Sequence, residues 1–174
     1  MKAGIDIYAS EETYKLRDIK LNNRTHIIKQ YQSAQIEDTF EVIPFALQHD
    51  CEGSLGFVIK ADNVYLLFAP DTAFIKQKFK FPFSIIMLEC SYDNYMLQLR
   101  VDTEDINESL AKRLLNSHME KTVAMDYIAK YCDLSKCREL HLLHMSNDNI
   151  DKELTRAEFE QRFFIKTIIC KRNR

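Results

Sequence analysis

Three apolar runs of strand length each end abruptly in a side chain that can bind a metal. They are VIPFALQHD, ending at His49 and Asp50; VYLLFAPDT, ending at Asp71; and ELHLLHMS, ending at His144. A strand that runs hydrophobic and then delivers a His or Asp places that group at the rim of a sheet. Rims of α/β layers are where active sites collect. Each ending alone also suits a turn, because Asp and Ser readily cap the segment after a strand. Together they offer neutral imidazole and carboxylate, the ligands that divalent zinc or manganese selects. The order His, Asp, His looks like the second half of a binuclear metal site.

Two further residues add chemistry. Glu89 ends the run SIIMLE, and a carboxylate ending so apolar a strand needs a partner or a metal. His118, in RLLNSHMEKTVAMDYI, is expected just before a helix, where the dipole disfavours the imidazolium unless a carboxylate holds it. Glu89 can be that carboxylate, giving a pair able to donate a proton to a leaving group. A surface histidine near a helix start is the plainer alternative. His26 stands without ligands at useful spacing and reads as structural or exposed. His141 precedes His144 by three residues and is expected to face away from it on a strand.

The pattern from Thr39 to Thr72 is β, with strands TFEVIPFAL, LGFVIKA and VYLLFA, and Pro44 marking an edge or a bulge. FSIIMLEC reads as a strand buried on both faces. GIDIYAS and THIIKQYQS suit short strands, and Ser10 with Glu11 and Glu12 reads as a helix cap with an acidic first turn. After Phe83 the order reads β-α-α-β-α-β. Helices are expected over 103–116, 118–132 and 151–162, the last with a Thr155–Glu158 capping box. The antiparallel half before and the mixed half after make an α/β (α+β) chain, and residues 1–174 read as a single domain.

Composition narrows the classes. With 46% hydrophobic and 29% charged residues, the chain reads as globular and intracellular, and no apolar stretch reaches the ~18–20 residues of a membrane span. A cytoplasmic location without membrane attachment is expected. The net charge of −2 supplies no general basic field, and Lys171, Arg172 and Arg174 read as a solvated terminus. Three glycines cannot compose a Walker A or dinucleotide loop. The cysteines at 51, 90, 132, 137 and 170 form no C-x-x-C pair, and reduced thiols are expected.

The stretches VIPFALQHDCEGSLGFVI, YLLFAPDT, IIMLECSYDNYML, RLLNSHM and LHLLHMSNDN resemble, in order, the metallo-β-lactamase superfamily. The likeness is to its RNase Z-like branch, which includes the YycJ (WalJ)-type exonucleases and phage cyclic-nucleotide phosphodiesterases. The resemblance implies an αβ/βα sandwich. It implies His49 and His144 as metal ligands and Asp71 as the carboxylate bridging two metals. It further implies His118 as the acid protonating the leaving oxygen and Glu89 as the group orienting it. Complete members hydrolyse phosphodiesters of nucleic acid or cyclic nucleotides with two divalent ions, zinc or manganese. The family's HxHxDH motif has no counterpart in the 174 residues, and Ser117 and Ala73 stand where the family has glycines. The chain is therefore expected to be a metallo-β-lactamase domain incomplete at its N-terminus. It should be inactive alone and depend on a partner, either an N-terminal fragment supplying HxHxDH or a second copy. The alternative is a non-catalytic binding or assembly module.

Overall fold

The computed structural model describes residues 4–170; the basic residues Lys171, Arg172 and Arg174 lie outside them. The chain opens with β1 (Ile7–Ala9), α1 (Glu11–Leu16) and β2 (Thr25–Ile27), and β1 and β2 pair in parallel as a small separate sheet. Ser10 caps α1 as expected, its Oγ accepting from the Thr13 amide. The same hydroxyl donates to the Gly53 carbonyl at 2.8 Å, tying this unit to the turn after the next long strand.

Seven strands then form one sheet in sequence order: β3 (Ala34–Ile36), β4 (Phe40–Ala46), β5 (Leu55–Ala61), β6 (Val64–Ala69), β7 (Ile85–Glu89), β8 (Glu139–Leu143) and β9 (Lys166–Ile169). Pairing is antiparallel from β3 to β6 and parallel from β6 to β9. The two halves of the pattern therefore share a single sheet, with β6 as the pivot. Pro44 sits beyond the short β3–β4 ladder, where its missing N–H breaks no pairing, and its carbonyl accepts from the Tyr31 amide.

Helices α2 (Asn94–Asp102), α3 (Glu108–Ser117), α4 (Lys121–Tyr131) and α5 (Lys152–Phe163) follow α1, five in all among the described residues. One core cluster joins Phe45, Val58, Leu67, Ile86, Leu88, Leu140 and Leu142 of the sheet to Ile128 of α4 and Phe159 of α5. Burying a side chain of this size contributes about 1.5–3 kcal/mol. Strand β7 is not buried on both faces as its apolarity suggested. Ile86 and Leu88 are buried, whereas Ile85 and Met87 on the other face are only half-buried.

Four local expectations need correction. Helix α2 is not expected from sequence at all: Tyr95 and Leu99 point to solvent and only Leu97 is buried, so no amphipathic stripe announces it. Asp93 caps it through the Tyr95 and Met96 amides. Residues 103–106 are the turn that ends α2, and α3 starts later than expected, capped by Asn107. The following helix starts at Lys121 with Glu120 as its cap, so His118 is not at its N-terminus. Helix α5 is capped by Asp151, not by a Thr155–Glu158 box; Thr155 is buried within the helix. Among the described residues no helix is long and apolar enough to cross a membrane, and all five cysteines are free thiols.

Gly53 is required by its turn. Its φ is +77°, and a Cβ there would lie 2.5 Å from Glu12 Cβ and 2.7 Å from Ser10 Oγ. We expect Gly53→Ala to cost about 2 kcal/mol, from the left-handed backbone and the clash with α1. Urea denaturation of the two proteins, compared at equal slope, checks this.

Candidate metal centre

Strands β4, β6, β7 and β8 all run the same way, so their C-terminal ends meet at one edge of the sheet. The parallel register aligns Ala69 with Leu88 and Glu89 with Leu143. Asp71, two residues past Ala69, and His144, one past Leu143, therefore flank Glu89. His49 follows β4 to the same edge, where two hydrogen bonds hold its loop beside Asp71. The Ala73 amide donates to the Gln48 carbonyl (2.8 Å) and the Gln48 amide to Thr72 Oγ1 (2.9 Å). His118 enters from the helical layer as the C-cap of α3. It therefore ends one helix rather than preceding the next, and the helix-start effect expected from sequence does not apply to it.

All five residues converge. His49 Nε2 lies 2.8 Å from Asp71 Oδ1, with His118 Nδ1 at 3.2 Å and His144 Nδ1 at 3.4 Å from the same oxygen. That oxygen is buried, yet no neighbour meets hydrogen-bond geometry toward it. The ligand atoms of Asp71, Glu89, His118 and His144 all lie within 4.8 Å of one another. Asp71 and His144 also share an unusual backbone: φ is 53° at the first and 54° at the second. Left-handed conformations outside glycine cost energy and collect at functional sites.

Glu89 is fully buried and organises the cluster. Its Oε1 accepts from His118 Nδ1 at 2.8 Å and His144 Nδ1 at 2.9 Å, while Oε2 accepts from the Thr72 amide. Burial alone would push this carboxyl's pKa up. The two imidazole hydrogen bonds and the amide outweigh it and hold the pKa below the ordinary value, so the group is a carboxylate. By accepting from both Nδ1 atoms it fixes the tautomer with the lone pair on Nε2, the orientation that carboxylates impose on metal-binding histidines.

A second carboxylate supports His49. Asp50 Oδ1 lies 2.9 Å from His49 Nδ1, and the Arg113 guanidinium holds Asp50 Oδ2 at 3.0 and 3.1 Å. The Arg113 hydrogen bond draws the Asp50 pKa down. The Cys51 amide, 3.1 Å from the same Nδ1, is the partner of a ring unprotonated there; Nε2 ligation requires the Asp50 arrangement. Arg113 carries no signal in sequence, because an arginine on an exposed helix face is ordinary.

The remaining histidines lie elsewhere. His26 stacks on Tyr8 with ring centroids 4.5 Å apart, and its Nε2 lies 3.2 Å from Asp6. His141 bonds Glu139 and Cys170. An open cavity of about 1300 Å³ borders the cluster, lined by Asp71, His118, His144, Asn147 and Lys152 among others. Asn149 is buried and braces the rim, accepting from Arg100 at 2.7 Å.

The donor set fits a divalent cation. A buried carboxylate oxygen without a hydrogen bond is costly unless positive charge compensates it. A carboxylate together with imidazoles whose Nε2 lone pairs are left free is the mixture that zinc and manganese accept.

No protein-family model and no curated protein matches the sequence. Solved structures do match. The metallo-β-lactamase fold protein YhfI from Bacillus subtilis aligns with a TM-score of 0.65 at 16% identity, over 95% of this chain and 62% of that one. Zinc-bound PqqB from Methylobacterium extorquens aligns at 0.63 and 13% identity, over 96% and 62% of the two chains. A diphosphatase of the PhnP family aligns at 0.60 and 12% identity, over 99% and 57%. The chain thus spans about three-fifths of the length of these structures. The mixed sheet, its helices and these alignments establish that the chain has the metallo-β-lactamase fold.

Proposed function

We propose that the chain contributes the C-terminal part of the metal centre of a metal-dependent phosphodiester hydrolase of the RNase Z-like type. In this reading His49, Asp71 and His144 are metal ligands, His118 is the proton donor and Glu89 is its positioning residue. The observation that carries it is the convergence of Asp71, Glu89, His118 and His144, whose candidate ligand atoms lie within 4.8 Å of one another, with His49 Nε2 2.8 Å from the buried Asp71 Oδ1. The bound zinc or manganese would supply Lewis acidity toward a phosphoryl oxygen. The chain's own residues do the rest. Glu89 holds His118 with its proton on Nδ1 in the neutral ring and stabilises the imidazolium when Nε2 is protonated too. From the α3 C-terminus the doubly protonated ring delivers the Nε2 proton to the leaving oxygen. Lys152 stands over the cavity, its Nζ 2.6 Å from Asn147 Oδ1, where a phosphate would be attracted.

Two imidazoles and one bridging carboxylate do not fill two metal shells. We therefore assign the remaining ligands to a segment bearing HxHxDH that these 174 residues do not contain. Bis(p-nitrophenyl) phosphate with added Mn²⁺ or Zn²⁺ tests this. The isolated chain should release p-nitrophenolate at the uncatalysed rate. Turnover that His144→Ala abolishes would refute the need for that segment.

One observation favours a second reading, a non-catalytic module. Glu89, His118 and His144 satisfy one another by direct hydrogen bonds and hold together as a structural network without a metal. A chain that binds no divalent ion in solution would select that reading.

A further inference from the structure

The segment between β6 and β7 leaves the centre at Asp71 and runs along the outside of the core. Its burial alternates: Phe74, Lys76, Lys78 and Lys80 are exposed, while Ile75 is buried and Gln77 and Phe79 are half-buried. The inner side is firmly held. The Phe79 ring lies 4.9 Å from Phe45 and 6.1 Å from Phe83, and the Gln77 carbonyl accepts from Tyr127 at 3.0 Å. Phe79 and Phe81 stack 6.4 Å apart, close to the ~6.6 Å that separates alternate residues of an extended chain. The outward lysines share that period, so Lys76 to Lys80 spans roughly 13 Å.

None of these three lysines pairs with a carboxylate among the described residues. Lys76 Nζ instead stands 5.7 Å from the Phe74 ring centre and Lys78 Nζ 4.9 Å from that of Tyr131. Cations resting on aromatic faces are held in place with their charge still available. The row also connects to the centre. A recess of about 390 Å³ is lined by Ala73, Phe74, Glu120 and His118, and Phe74 remains 40% exposed at its mouth.

An aromatic face beside the proton donor, followed by lysines at alternate exposed positions, is the combination that holds a single strand. A cyclic mononucleotide has one phosphate and cannot meet cations over such a length. A membrane surface calls for a broad basic face rather than a line. We infer that residues 74–80 are a track for single-stranded nucleic acid. Lys76, Lys78 and Lys80 meet successive phosphates, and Phe74 stacks a base next to His118. This deepens the phosphodiester reading and rests on it for what happens to the strand: the substrate is a polynucleotide.

The test is fluorescence anisotropy of 5′-fluorescein-labelled (dT)20 with the full chain in EDTA, across a salt series. The variant Lys76→Gln/Lys78→Gln/Lys80→Gln should bind at least tenfold more weakly at low salt. The slope of log K against log salt should shrink by about 2, because each phosphate neutralised on a single strand contributes about 0.7. Phe74→Ala should lose about tenfold with its slope unchanged, since stacking is not a counterion effect. Absence of saturable binding, or a triple variant with wild-type affinity and slope, would overturn the track. So would phosphatidylserine vesicles that displace the oligonucleotide and bind more tightly through the same lysines. No metal is present, so a failure here leaves the metal centre untested, and a failed metal titration leaves the track standing.

Discussion

Replacing Glu89 by alanine should lower the thermal midpoint by roughly 10 °C at neutral pH. Glu89 is fully buried and takes hydrogen bonds from His118, His144 and the Thr72 amide. Truncation leaves the buried Thr72 amide and two partly exposed imidazoles without their acceptor at once. Breaking a buried charged network from one side costs about 3–5 kcal/mol. For a chain of this length each kcal/mol moves the midpoint about 2–4 °C. The pH dependence is set by the direction of the shift. The folded carboxyl titrates below its ordinary value of 4.5, so between the two values the unfolded chain binds the extra proton. The contribution of ionisation is therefore complete above pH 4.5 and disappears as the pH falls from there through the folded value. Glu89→Gln keeps the shape and removes the charge. Its deficit relative to wild type should be largest near neutrality and shrink on acidification. Thermal melts of both proteins between roughly pH 3 and 7 measure this; a deficit that does not change with pH would show that Glu89 is not held as a carboxylate.

The centre is more legible in sequence than the helices. His49, Asp71, Glu89 and His144 each end an apolar run, and parallel register turns shared endings into spatial neighbours. His118 is visible as an imidazole without an evident structural task, but its place is not. Helix α3 ends on it, and α4 begins only at Lys121. The boundary depends on Glu120 turning back to cap the Thr122 and Val123 amides, a choice that periodicity does not encode. Helix α2 escapes for a different reason: Tyr95 and Leu99 are exposed and only Leu97 is fully buried, which leaves no clear apolar stripe. The support of His49 by Asp50 and Arg113 joins residues 63 positions apart and leaves no trace in either local pattern. The basic row at 76–80 is hidden because its phenylalanines read as core, and only the alternation of burial separates its two faces.

Asp71→Asn should abolish metal binding while leaving the fold intact. Asparagine tolerates the left-handed backbone at φ 53° as well as aspartate does. It keeps the side-chain outline and removes the negative charge at the oxygen on which His49, His118 and His144 converge. Affinity should fall at least about a hundredfold, because even partners one step behind the ligands are worth about 10–100-fold. In EDTA the variant should melt no lower than wild type, since its neutral amide relieves a buried acceptor that has no hydrogen bond.

Calorimetric titration of Zn²⁺ or Mn²⁺ into the purified chain and into Asp71→Asn puts the metal centre to the most direct test. Weak, saturable uptake by the wild type that vanishes in the variant is the result expected here. Heats that never saturate, or identical isotherms for the two proteins, would mean that the imidazoles and carboxylates at this sheet edge hold only one another.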